Sequence, residues 1–140
     1  MAVYNKFNCF VEDLLKGVHD FDNDTFNVAL SNSAPDSAND VTLSDITEIA
    51  DGGGYAAGGY SLDNIVLSRS GGTAKVVCDD ETITATGAAL ATFRYVIVYN
   101  ATAASDPLIA WYDYGTGLTL EENESLTIDF NQSTGVFTLT

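Results

Sequence analysis

The chain opens with apolar residues at helical spacing. They recur three and four positions apart, at Phe7, Phe10, Val11, Leu14, Leu15 and Val18. This spacing places them on one face of an amphipathic helix, while the charged residues of the same stretch fall on the other face. We predict a helix over about 7–19. The segment HDFDND then ends it, because Asp and Asn favour turns.

From Thr25 onward the apolar positions alternate with a period of two. Phe26, Val28 and Leu30 fall on one side, as in a strand with one buried face. Further strands follow at intervals of roughly 8 to 12 residues, which is typical of a sandwich or barrel. We predict them over 64–69, 74–78, 81–86, 92–100, 108–114, 117–120, 125–130 and 135–139.

Two segments refine this pattern. Residues 93–99, FRYVIVY, are apolar on both faces and predict a central strand that is covered on both sides. Residues 41–50 fit a short helical turn as well as a strand. We predict a mainly β fold in which residues 1–140 form a single-domain antiparallel β-sandwich. We expect it to be jelly-roll-like, with an N-terminal α-helix packed on one face or edge.

Residues 51–62 predict a Gly-rich arch and no regular element, with five glycines between positions 52 and 59. Glycine adopts positive φ at little steric cost, so the arch is either ordered or mobile. No lysine accompanies the glycines, and the spacing does not match a phosphate-binding loop. Tyr55 and Tyr60 either contact a protein partner or fold back on the sheet.

The charge is strongly one-sided: 20 acidic residues against 5 basic residues give a formal net charge of −15. Such a chain repels nucleic acid and anionic membrane surfaces, so we predict neither as a partner. Its acidic surface suits a basic protein partner. No apolar run is long enough to span a membrane. Glu12 and Asp13 stand where a signal peptide would be apolar, and we therefore expect synthesis in a cytoplasm.

Histidine and cysteine do not form a catalytic or metal-binding set. His19 is the only histidine, and a position at the C-terminus of the helix, where it complements the helix dipole, explains it. Cys9 and Cys78 are far apart, each in an apolar run. That placement favours two reduced core cysteines over a disulfide or a metal pair.

The acidic residues give no clear site either. Residues 20–24, DFDND, begin like a calcium loop, but Thr25 and Ser31 stand where such a loop needs Gly and Glu. A solvated turn is the favoured interpretation. The acidic clusters at 79–81 and 121–124 lie in predicted turns, and a small hydrolase that uses two of these acids is the weaker alternative. We predict no enzyme activity, no cofactor and no metal.

One ion pair is predicted inside the sheet. Asp113 ends the strand 108–114, and Arg94 is the only basic residue nearby. If strands 92–100 and 108–114 are antiparallel neighbours, the two side chains meet as a bidentate pair with a structural role. Trp111 and Tyr112 alternate on this strand, so one faces the core and the other faces a surface or a neighbouring element.

Several phrases together resemble a known family. The chain contains YNKFNCFVEDL near its start, then GYAAGGYSL in the arch, and WYDYG and IDF in the strands. This set, spread over nearly the whole chain, is similar to a family of small structural proteins encoded by tailed bacteriophages. The resemblance implies a component of the phage particle made in the host cytoplasm, and it carries no catalytic residues.

The resemblance, charge and size together predict a capsid cement or decoration protein on the outer surface of the head, bound to the major capsid protein and to further copies of itself as a homo-oligomer. The predicted contact residues are Phe7 and Phe10 on the helix and Tyr55 and Tyr60 on the arch. The close alternative is a neck, head–tail connector or tail component. A carbohydrate-binding β-sandwich module is a further alternative, and it requires a row of exposed aromatic side chains.

Overall fold

The structure is a computed structural model that describes residues 2–140. Within these residues there is one α-helix, α1 (Asn8–Leu15), and a single-turn 3₁₀ helix at Leu43–Asp45. The strands, in chain order, are β1 (Val3–Lys6), β2 (Phe26–Ser31), β3 (Tyr60–Ser61), β4 (Val66–Ser70), β5 (Thr73–Val77), β6 (Glu81–Thr84), β7 (Leu90–Asn100), β8 (Leu108–Leu120), β9 (Ser125–Ile128) and β10 (Phe137–Leu139). The predicted single-domain antiparallel β-sandwich with an N-terminal helix is confirmed.

The larger layer of the sandwich is a five-stranded antiparallel sheet in the order β1-β8-β7-β2-β3. Its centre is the long β7–β8 hairpin, in which Tyr95 is opposite Asp113 and Ile97 is opposite Trp111. Strand β1 adds to β8 with Tyr4 opposite Tyr112. The two separate strands predicted at 108–114 and 117–120 are therefore one continuous strand, which shows register shifts against β7.

The second layer is built from two antiparallel chain segments, one containing β5 and β6 and the other containing β9 and β10. Strand β5 pairs with β10, and β6, which follows β5, pairs with β9, which precedes β10. Strand β4 adds to the far side of β5. The result is a three-stranded sheet, β10-β5-β4, beside a two-stranded ribbon, β6-β9. Asp80 joins the two parts because its carboxylate accepts a hydrogen bond from the Phe130 N–H at 2.9 Å.

Strand β7 is covered on both faces, as predicted. Its Val96 and Val98 side chains belong to the main core between the layers. Tyr95, Ile97 and Tyr99 belong to a smaller cluster on the opposite face, which Phe7, Ala29 and Leu108 complete. The 3₁₀ turn covers this second cluster with Leu43 and Ile46. Of the two alternatives that the sequence left open for residues 41–50, the structure has the helical turn, at Leu43–Asp45.

The helix is shorter than the predicted 7–19, beginning at Asn8 and ending at Leu15. Gly17 stops it with φ of +70°. The Gly17 N–H bonds to the Leu14 carbonyl and the Val18 N–H bonds to the Asp13 carbonyl, which is the Schellman pattern of helix ends. With eight residues, α1 is too short to cross a membrane, and no other helix among residues 2–140 meets that requirement.

Candidate interaction surfaces

The phenylalanines predicted as partner contacts are core residues, and that prediction is corrected. Phe7 is fully buried and Phe10 is 2% exposed. Phe10 lies between the sheets, with its ring edge-on to Phe137 at 5.2 Å and tilted against His19 at 5.3 Å. Because the helix is amphipathic, these apolar side chains fill the interior, and almost none of their surface remains for a partner.

The prediction that Tyr55 contacts a partner is also corrected, because Tyr55 attaches the arch to the sheet. It is 3% exposed, its hydroxyl donates to the Glu48 carboxylate, and it accepts the Leu30 N–H at 3.1 Å. Burial first, and then Glu48, raise the pKa of the Tyr55 hydroxyl above its usual value. The same Glu48 oxygen accepts the Gly58 N–H at 2.8 Å.

The rest of the arch is equally well fixed. The Tyr99 hydroxyl donates to the Gly58 carbonyl at 2.6 Å. Gly59 has φ of +73°, and a Cβ placed there would lie 1.8 Å from the Val28 carbonyl oxygen. Tyr60 is half-buried and packs edge-on against Tyr55 at 5.8 Å. The arch is therefore ordered and folded back on the sheet, and Tyr60 alone of the four predicted contact residues keeps substantial exposure.

His19 is placed differently from the prediction. It lies beyond the end of α1, is 8% exposed, and packs near Phe10, Phe21 and Phe26. Its Nδ1 lies 3.2 Å from the Asn100 amide nitrogen, which also donates to Asp24 at 2.7 Å. Burial lowers the pKa of His19, and Asp13 and Asp24 oppose this effect. The imidazole is therefore a neutral acceptor in the core, and its role is not to complement the helix dipole.

The DFDND segment is a solvated turn, as predicted, and it has a counterpart that the sequence analysis missed. The Asp20 carboxylate accepts the Asp22 N–H and the Asn23 amide, and the Asp24 carboxylate accepts the Asp20 N–H. Residues 36–40, DSAND, repeat the same three hydrogen bonds. The shared D-x-x-N-D spacing was the available signal. These hydrogen bonds lower the pKa of Asp20 and of Asp36.

The two cysteines and the Arg94–Asp113 pair occupy structural positions. Both cysteines are free thiols, and burial raises the pKa of Cys78 to about 12, which makes it a poor nucleophile. Arg94 and Asp113 form the predicted bidentate pair at 2.7 and 2.9 Å, which lowers the pKa of Asp113. Within residues 2–140, no three His, Cys, Asp or Glu side chains are grouped as metal ligands would be.

One exposed apolar groove lies between α1 and β10, and we call it the α1–β10 groove. It has a volume of about 550 Å³ and is lined by Tyr4, Lys6, Phe10, Val11, Leu14 and residues 134–139. Phe10 forms its buried floor, whereas Val11 is 46% and Leu139 58% exposed at its rim. Leu15, one helical turn beyond Val11, is 88% exposed. The helix thus has a second apolar surface that faces outward.

A second groove opens between β8 and β9, and we call it the β8–β9 groove. It has a volume of about 410 Å³ and is lined by Ala2, Phe93, Val96, Tyr112, Tyr114 and residues 126–129 with Asn131. Tyr112 is half-buried and packs edge-on against Phe130 at 5.9 Å. Tyr114 is 47% exposed. Trp111 lies on the other face of β8, where its Nε1–H donates to the Ser37 hydroxyl at 2.9 Å.

Comparisons with known proteins add no relative. A scan against protein-family models, a search of curated proteins and a search of solved structures each found no match for this chain.

Proposed function

We propose that the chain is a non-enzymatic structural protein of a tailed-bacteriophage particle, and that it is a cement protein on the outer surface of the head. Its partners are the major capsid protein and other copies of itself. The resemblance in sequence motifs, described above, supplies the phage context. The structure contributes the surface that such a protein needs.

The observation that carries this proposal is the α1–β10 groove. A protein with net charge −15 has little reason to expose leucine and valine side chains together unless they meet another protein, since adjoining exposed apolar side chains commonly mark interaction sites. Val11 and Leu139 are 46% and 58% exposed at the rim of this groove, and Leu15, one helical turn beyond Val11, is 88% exposed. We assign the groove as the surface that binds the capsid protein, in place of the buried Phe7 and Phe10.

Charge supports a position outside the head. Packaged DNA would repel a chain with 20 acidic and 5 basic residues. A basic surface on the capsid protein would instead attract it and speed its association. The tight packing of the arch and of both clusters gives a rigid body, which loses little conformational entropy when it binds.

Substitutions at the rim of the groove test the assignment. Val11→Ser with Leu139→Ser removes exposed apolar side chains that line the groove, without changing the charge or the core. We expect this double variant to bind heads of the encoding phage, assembled without the chain, about tenfold or more weakly than the natural sequence. Co-sedimentation of the purified chain with such heads measures the binding.

Val41→Ser is the matched control. Val41 is 44% exposed but does not line the α1–β10 groove, so this variant should bind like the natural sequence. Equal binding by all three proteins would exclude the groove as the capsid-binding surface. Failure of the natural sequence to bind heads at all would exclude the cement role and favour the neck or tail alternative.

The β8–β9 groove favours a second candidate function, a carbohydrate-binding module. The exposed Tyr114 lines this groove together with Asp129 and Asn131, and pockets that combine aromatic and polar side chains suit sugar recognition. Trp111 makes no part of such a platform, because it lies on the other face of β8. Titration with oligosaccharides while tyrosine fluorescence is monitored, with Tyr114→Ala as control, distinguishes this function from capsid binding.

A further inference from the structure

The β4–β5 hairpin differs from the rest of the chain in its charge. Residues 64–78 contain Arg69 and Lys75 and no Asp or Glu, so this segment carries a charge of +2. All 20 acidic residues lie outside it, together with the other three basic residues. Arg69 is exposed and Lys75 is half-buried, so the hairpin places positive charge at one edge of an acidic body.

The hairpin is accessible along its outer strand. All five residues of β4 are exposed, and Val66 and Leu67 are 52% and 41% exposed. Strand β4 is also the edge of its sheet, since it pairs with β5 and with no other strand of residues 2–140. Its outward N–H and C=O groups are therefore free to accept a further strand or a polar surface.

The two basic side chains are not neutralised within their own molecule. Arg69 donates to the Gly71 carbonyl at 2.9 Å, and Lys75 donates to the Gln132 and Ser133 carbonyls at 3.3 and 3.1 Å. The ion pairs within residues 2–140 are Glu12–Lys16 and Arg94–Asp113, and neither involves the hairpin. Both positive charges are held by neutral acceptors. Because Arg69 pairs with Ala74 and Ser68 with Lys75, the two side chains lie on opposite faces of the hairpin, and Arg69 is the more exposed of the two.

We propose that the β4–β5 hairpin docks onto the acidic body of a second copy of this chain, in a head-to-tail arrangement. The opposite charges of hairpin and body supply the attraction, and the exposed Leu67, on the same face of β4 as Arg69, supplies apolar contact area. An interface between two β4 edges is disfavoured, because antiparallel pairing would bring both Arg69 side chains to one short interface, where like charges repel. A head-to-tail contact joins different surfaces and so extends into rings or arrays.

This inference rests on the proposed function in one respect, since a cement protein that contacts its neighbours would form such an array on the head. Self-association is nevertheless a property of the purified chain alone. It can therefore be tested without a phage particle, and its result is separate from the head-binding result.

Sedimentation velocity over a range of concentrations tests the proposal. At low salt we expect the average mass to increase with concentration beyond that of a dimer. At about 1 M salt, where charges are screened within about 3 Å, we expect the monomer. Arg69→Glu with Lys75→Glu should weaken self-association about tenfold or more.

Lys6→Glu with Lys16→Glu is the matched control, because it changes the net charge by the same amount at sites outside the hairpin. It should associate like the natural sequence. Arg69→Glu alone is the second variant, since Lys75 also holds the 132–133 turn. It should show a clear loss of association with an unchanged circular dichroism spectrum.

Three results would overturn the proposal: a monomer at every concentration, a mass that stops increasing at the dimer, or equal loss in the control. If Arg69→Glu still binds heads while self-association is absent in the natural sequence, only this inference fails and the cement role stands.

Discussion

The hydrogen bonding of the buried His19 side chain depends on its protonation state. Its Nδ1 faces the amide nitrogen of Asn100, which can only donate, and its Nε2 has no hydrogen-bond partner within residues 2–140. Neutral imidazole accepts the Asn100 proton, whereas imidazolium would set two donors against each other. Burial lowers the pKa of His19 for the same reason, since charge is costly among phenylalanine rings.

This placement predicts a pH dependence of stability. The unfolded chain binds a proton on His19 below about pH 6.5, while the folded chain binds it only at lower pH. Above that pH, the free energy of unfolding should therefore contain the full contribution of neutral His19. It should decrease as the pH falls toward the folded pKa, by at most about 1.4 kcal/mol per pH unit. Urea unfolding between pH 7.5 and about 5 measures the change.

His19→Phe is the matched variant, since it keeps a ring in the aromatic cluster and removes the titration. The free energy of unfolding of this variant should change less with pH over the same range. Glu81, whose pKa partial burial and Asp63 raise, acts in the opposite direction in both proteins, so the difference between the two curves isolates His19. Parallel curves for the two proteins would contradict the account of this site.

At the scale of elements, the sequence predicted those elements whose pattern is local. Alternation predicted β2, where Val28 and Leu30 face the main core and Ala29 faces the smaller cluster. The Arg94–Asp113 pair followed from an antiparallel hairpin alone. The helix end was misplaced because Val18 continues the apolar spacing, although Gly17 already carried the signal of a helix stop.

Elements that depend on distant partners were not predictable in this way. Strand β1 has four residues and exists because it pairs with β8, more than a hundred positions later. The predicted contacts at Phe7, Phe10 and Tyr55 failed for a related reason. A sequence shows that a side chain is apolar or aromatic, but the fold decides whether it fills the interior, and the exposed Leu15 belonged to the same apolar set.

The arch provides the test at this scale. Gly59→Ala combines a positive φ with a collision against the Val28 carbonyl, so we expect it to cost about 3 kcal/mol or more. Gly71→Ala has φ of +57° but open space around it, and should cost only about 1 to 2 kcal/mol. Chemical unfolding of both variants measures the two losses in free energy of unfolding. Equal losses would contradict the close approach of the arch to β2 at Gly59.

At the scale of the whole molecule, the chain combines a rigid, acidic sandwich with two surfaces suited to other proteins. The α1–β10 groove exposes apolar side chains at Val11 and Leu139, and Leu15 is exposed one helical turn beyond Val11. The hairpin at 64–78 is basic on an otherwise acidic body. One surface suits the capsid protein and the other suits a neighbouring copy. Together they describe a molecule whose proposed role is to join proteins on the outside of a particle.

Quantitative mass spectrometry of purified particles of the encoding phage tests this central claim most directly. A cement protein covers the head, so the account predicts on the order of hundreds of copies of the chain per particle, as expected for a protein that repeats with the symmetry of a shell. Its absence from purified particles, or a number that matches a single ring, would contradict it.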